Sequence, residues 1–145
     1  MKLKQLEQNA IAFFESGFNC AESISQAILE AFSQEAPQDI PRVASAFGGG
    51  IGGSHAEACG VMTGGIIAIG YLLGRTDPDH DIESTKELAK AYRQEFNKIA
   101  GTTSCGLLLE QFGDQDSHHE CSLLVGQMTV ILAKLLKAHG LKMVK

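Results

Sequence analysis

The stretch VMTGGIIAIGYLLG, Val61 to Gly74, is the longest apolar run in the sequence, and its reading decides the fold. It is shorter than the ~20 residues a membrane crossing needs, and Arg75 closes it. A run apolar on nearly every face is the signature of a buried core helix. Ser54 and Glu57 form a capping-box pattern ahead of it, so the helix is expected to start near Ser54, carry Cys59 five residues after the cap, and lie at the centre of the chain. Gly60 and Gly64 fall on one helical face, and Gly70 and Gly74 repeat the spacing. Interior glycine costs about 1 kcal/mol against alanine, so this pattern implies close approach by another backbone or by a ligand.

Working outward, Leu3, Leu6, Ala10, Phe13 and Phe14 recur at helical spacing until Gly17. Asn19 and Glu22 make a second capping-box pattern, after which Ala21, Ile24, Ala27, Ile28, Ala31 and Phe32 carry a helix to about Ser33. A short helix with Pro41 in its first turn is broken by Gly48, Gly49 and Gly50. Beyond the polar turn RTDPDHDIEST, residues Leu88, Ala91, Tyr92, Phe96 and Ile99 share one helical face, and Gly101 ends that helix. A short piece covers Cys105 to Phe112; Ser117 and Glu120 then form a third capping-box pattern before a final helix that runs toward Gly140. No segment alternates with period two. The chain therefore reads as one all-α domain over residues 1–145, a compact bundle of about five to seven helices with a glycine-rich loop before the central helix.

Composition bounds the function. The 145 residues, 44% hydrophobic, suffice for one ordinary core. A formal net charge of −5 offers no electrostatic footprint for nucleic acid or an anionic membrane. Lys134, Lys137, Lys142 and Lys145 suit the solvated end of a helix, where cations complement the dipole. Gln5, Glu7, Gln8 and Asn9 interrupt any secretory h-region, and no membrane span is expected, so a cytoplasmic setting with reduced thiols is the expectation. Hydrolytic motifs are missing: the five histidines form no HExxH pair, and no GxSxG turn occurs. Asp77, Asp79 and Asp81 alternate as in a calcium loop, but Ile82 and Leu88 stand where that loop needs glycine and glutamate, which leaves a charge cluster at a helix start.

All four cysteines fall near expected helix N-termini. Cys20 follows cap Asn19, Cys59 follows Ser54, Cys105 follows Thr102, Thr103 and Ser104, and Cys121 follows Ser117. Unpaired N–H groups and the positive end of a helix dipole favour thiolate, which is both nucleophile and metal ligand. Free cysteine is also a good small core residue, so packing competes with this reading. The absence of any CxxC pair rules out a thioredoxin-type motif and a zinc ribbon, and any shared site must be assembled from several helices.

FNCAES at Cys20, FGGGIGG leading into CGVMTG at Cys59, SCGLLL at Cys105 and ECSLLV at Cys121 resemble the C-GCAxxG-C-C family, called redox-active by inference from its cysteines. Val61 stands where the family's CGAxxG motif has alanine. The resemblance implies an all-helical protein of this length with four characteristic cysteines, and its gene neighbourhoods imply a functional link to a transporter. It brings no substrate.

Three chemistries stay open. In thiol redox exchange, Cys59 attacks, His55 one helical turn away favours its thiolate, and one of Cys20, Cys105 or Cys121 resolves; the partner is another redox protein or a small molecule. In metal or cofactor binding, Cys20, Cys59, Cys105 and Cys121 converge on zinc or an iron–sulfur cluster, with His118 and His119 as further ligands or support. Gly48, Gly49, Gly50, Gly60 and Gly64 would border such a cofactor. In the third, the cysteines are buried and inert. A homo-oligomer is compatible with all three.

Overall fold

Helical periodicity and glycine stops determine where the elements lie. The computed structural model describes residues 1–144, so Lys145 lies outside the described residues. Among the described residues seven α-helices follow in order: α1 (Leu3–Glu15), α2 (Cys20–Phe32), α3 (Ile40–Ala44), α4 (Gly60–Leu73), α5 (Glu83–Ala100), α6 (Cys105–Phe112) and α7 (His119–Ala138). A 3₁₀ turn at Ser45–Phe47 extends α3. Among the described residues there is no strand, only an isolated antiparallel bridge between Ala58 and Ser104. The chain is all-α.

The cap expected at Asn19 is made in full: its side chain accepts from the Glu22 N–H at 2.9 Å, and the Glu22 carboxylate accepts from the Asn19 N–H at 2.8 Å. Gly101, in left-handed conformation, ends α5. The acidic turn before α5 is held by local contacts. Asp77 and Asp81 accept from the N–H groups of Asp79 and Glu83, the second at the first residue of the helix.

Two helix pairs organise the core. α2 lies along α4 and α1 along α7, while α2 also meets α1, α3 and α7. The α2–α4 contact is close because α4 presents glycine. A methyl group at Gly64 would sit 2.5 Å from the Ala21 carbonyl oxygen and 2.7 Å from its Cα. On the other side of α4, Gly65 lies against the Tyr92 ring, and the buried Tyr92 hydroxyl donates to the Val61 carbonyl at 2.6 Å. Ile24, Ile28, Leu29, Ile69, Phe96, Met128, Leu132 and Leu136 fill the centre with essentially no exposure. Each such side chain contributes roughly 1.5–3 kcal/mol. α7 is the one described helix whose length and mean hydropathy, 1.5, reach what a membrane crossing requires, yet half of that window is buried against the rest of the bundle, as in a core helix.

Candidate functional site

α6 lacks a broad interface with any other helix, and a cavity of about 470 Å³ opens beside it. The C-terminal end of α1, the N-termini of α2 and α7, α6 and the glycine-rich loop enclose this space. Cys20, Cys59, Cys105 and Cys121 all line it. The remaining wall is mostly apolar, with Phe14, Phe18, Leu108, Leu109, Phe112 and Leu124 contributing most of the side chains.

Cys20 is the first residue of α2 and is half-buried. The backbone N–H groups of Gly49 in the loop and of Ala21 and Cys20 itself at the helix start favour its thiolate. The largest influence is the neighbouring Cys59 thiol. Against burial, these donors bring the Cys20 thiol down to about 6. Asn19 and Glu22 fix the helix start that carries Cys20. Asn19 also donates to the Ser45 carbonyl at 3.0 Å, and Glu22 accepts from the Ser45 hydroxyl at 2.8 Å.

The glycines explain how Gly49 reaches that sulfur. Residues 49 to 53, GGIGG, all have φ between 62° and 69°, a left-handed turn that glycine tolerates and most residues avoid. Ile51 adopts it between them. The turn is tied by N–H bonds from Gly52 to Ala46, Gly53 to Gly48 and His55 to Gly49. It leaves no room beside Gly48, where a methyl group would meet the Asn19 side chain, or beside Gly50, where it would lie 2.7 Å from the Cys105 Cβ.

Cys59 and Cys105, each 8% exposed, are joined through the backbone. The Cys59 N–H donates to Thr103 at 2.7 Å and the Cys105 N–H donates to Glu57 at 3.0 Å, on either side of the Ala58–Ser104 bridge. In such a pair, Cys59 and Cys105 are diagonal neighbours on one face, both turned to the cavity. The Cys20 sulfur accepting its hydrogen, and then burial, push the Cys59 thiol far above the ordinary range. Burial first, then the Cys20 charge, also raise Cys105. Cys121 is raised by burial although Gln115 donates to its sulfur at 3.6 Å. Of the four thiols, Cys20 is the one drawn below the ordinary range.

Several expectations change. Ser54 does not cap α4: its hydroxyl donates to Gly50 at 2.8 Å inside the loop, and α4 starts at Gly60 with Cys59 itself at the cap position. His55 is exposed in the loop, with φ 60°, and is not a helical turn from Cys59, although both line the cavity. Ser117 does not cap α7 either. Ser117 and His118 are both left-handed, and the Gln115 side chain takes over by accepting from the Cys121 N–H at 3.1 Å.

The cofactor and ligand assignments change as well. Gly60 and Gly64 do not border a cofactor; Gly60 packs on the Cys20 sulfur and Gly64 on the Ala21 backbone. Gly48 is taken up by Asn19 and Gly50 by Cys105, which leaves Gly49 as the one of these five that lines the cavity. The set Cys20, Cys59, Cys105, Cys121, His118 and His119 does not form a metal centre in this arrangement. Among the described residues no three or more His, Cys, Asp or Glu side chains converge closely enough to hold an ion. The thiols are spread around an apolar cavity, His118 sits at its edge, and His119 borders a separate recess with Glu15 and Asp116. As arranged here, the four thiols do not make a closed zinc or cluster site.

Sequence reading missed Gln115, whose role depends on the left-handed entry into α7, and the apolar wall. The clue to the wall lay in Phe14 and Phe18 flanking Gly17 beside Cys20.

A family model described as "Putative redox-active protein (C_GCAxxG_C_C)" matches residues 18–135. That span includes all four cysteines and the glycine-rich loop. Neither a curated protein nor a solved structure shows a significant similarity to the chain.

Proposed function

The chain belongs to the C_GCAxxG_C_C redox-active family, and from that premise we propose that it carries out thiol–disulfide exchange, with Cys20 as the attacking thiolate and Cys59 as the resolving thiol. The observation that carries this reading is the pairing of Cys20 and Cys59 at the wall of a cavity. One sulfur is held as thiolate at about 6 by donors from a helix start, a glycine loop and its own partner; the other retains its proton beside it.

The exchange balances in two steps. The Cys20 thiolate attacks one sulfur of a substrate disulfide, a Cys20–substrate disulfide forms, and the first half leaves as thiolate. That thiolate takes the Cys59 proton; the Cys59 sulfur then attacks the Cys20 sulfur and expels the second half. The substrate gains two electrons and leaves as one thiol and one thiolate, while the protein keeps a Cys20–Cys59 disulfide. Bonding of the Cys20 sulfur to the substrate removes the charge on Cys20 that had kept Cys59 protonated, and the leaving thiolate takes that proton, so the second step is released by the first.

A trapping experiment tests the assignment. Cys59→Ser treated with an aromatic disulfide at alkaline pH is expected to accumulate a mixed disulfide on Cys20, mapped by peptide mass, much faster than Cys20→Ser accumulates one on Cys59, whose thiol burial still raises. Accumulation on Cys59, Cys105 or Cys121 in place of Cys20 would overturn it.

A further inference from the structure

We infer that the disulfide exchanged at this site is carried by a small uncharged molecule with an apolar body, seated inside the four-cysteine cavity. This rests on the exchange reading above and adds the class of substrate.

The volume, about 470 Å³, lies within the range of small-molecule pockets, roughly 300–1,000 Å³. Among the described residues no Lys, Arg, Asp or Glu lines it. A peptide disulfide such as oxidised glutathione brings carboxylates and ammonium groups, and each charge buried without a partner costs several kcal/mol. The wall instead offers Phe14, Phe112, Leu108, Leu109 and Leu124. Phe18, 38% exposed, stands at the rim next to the helix start that bears Cys20, held edge-to-face against Phe13 at 6.0 Å. An aromatic ring kept at a cavity mouth suits an apolar body passing over it. The polar groups at the cavity, Asn19, Ser117, His55 and His118, can hydrogen-bond a neutral substituent but supply no cluster of cations for a dianion.

A matched pair of probes separates charge from reactivity: dithiobis(nitrobenzoate), a dianion, and its neutral dimethyl ester. Second-order rates of oxidation of the native protein are divided by those of the same chain in urea, which carries the same formal charge and exposes every thiol. The native chain is expected to favour the ester over the dianion by about 100-fold beyond the denatured chain. Leu109→Arg, a change at a half-buried wall position, is expected to recover the dianion rate at least tenfold without a matching gain for the ester. A ratio equal to that of the denatured chain, with a Cys20–Cys59 disulfide formed by both probes, would overturn the substrate class and leave the exchange reading standing. Failure of both probes to produce that disulfide would overturn both.

Discussion

Removing the Cys59 sulfur tests what holds the Cys20 thiolate. The Cys59 thiol is the largest of the influences that bring Cys20 to about 6; burial opposes it, and the three backbone donors follow. In Cys59→Ala the largest donor is gone while burial remains, so Cys20 is expected to return to the ordinary thiol value of about 8.5. At pH 7 its thiolate fraction then falls from about 90% to about 3%, a loss of about thirtyfold. A more basic thiolate is a better nucleophile, and with a Brønsted slope of about 0.4–0.5 this recovers about tenfold. The rate at pH 7 therefore drops only about threefold, and the midpoint of the pH profile is the informative quantity. Alkylation of Cys20 by iodoacetamide, followed by peptide mass from pH 5 to 10, is expected to give a midpoint near 6 in the native chain and above 8 in Cys59→Ala, with a higher plateau. Cys59→Ser, which retains a hydroxyl donor, is expected to fall between them. A midpoint that stays near 6 in Cys59→Ala would refute the reasoning.

The same shifts set how stability depends on pH. Cys20, depressed on folding, adds stability as pH rises from about 6 to about 8.5, and that contribution is lost as pH falls through about 6; Cys59, Cys105 and Cys121, all raised, subtract stability above about 8.5, where the unfolded chain releases protons the folded chain keeps. Urea midpoints across this range are expected to rise and then fall, and Cys20→Ser is expected to lose the rising limb. Gly64→Ala drives a methyl into the α2 backbone and is expected to cost about 1–3 kcal/mol, whereas Gly70→Ala, with nothing within 4 Å, is expected to gain up to about 1 kcal/mol; equal effects in chemical denaturation would contradict the close α2–α4 contact. Tyr92→Phe leaves the ring on Gly65 but removes the donor to Val61, for an expected loss of about 1 kcal/mol by the same assay. Asn19→Ala is expected to lose about 1–2 kcal/mol and to raise the Cys20 midpoint, since the frayed helix start no longer directs its N–H groups at the sulfur.

Helices were legible wherever the signal was local. Asn19 and Glu22 could be read as a cap because both residues adopt the conformation their types prefer, and Gly101 as a stop because it needs a positive φ. Ser54 and Ser117 carry the same cap letters but serve other geometry. The left-handed turn of GGIGG holds Ser54 in a loop, and the Ala58–Ser104 bridge keeps the chain extended until Cys59, which delays α4 to Gly60. The placement of cysteines at helix starts was also readable, since caps and glycines marked those starts. Their pairing was not. Cys59 reaches Cys20 through the close approach of Gly60 to α2, and Cys105 through a bridge between residues far apart in sequence, and neither contact leaves a periodic or compositional trace. Nor could spacing alone distinguish thiols gathered on one ion from thiols spread around an apolar cavity.

Whether Cys20 and Cys59 form the redox couple can be read in one sample by intact-mass spectrometry of untagged protein, native and denatured, with thiols alkylated before and after reduction and mapped to peptides. Mild oxidation is expected to remove two hydrogens, reversibly with reductant, with the linkage between the Cys20 and Cys59 peptides and with Cys105 and Cys121 still alkylatable. Four alkylatable thiols after oxidation, or a stoichiometric metal mass released on denaturation, would contradict that couple.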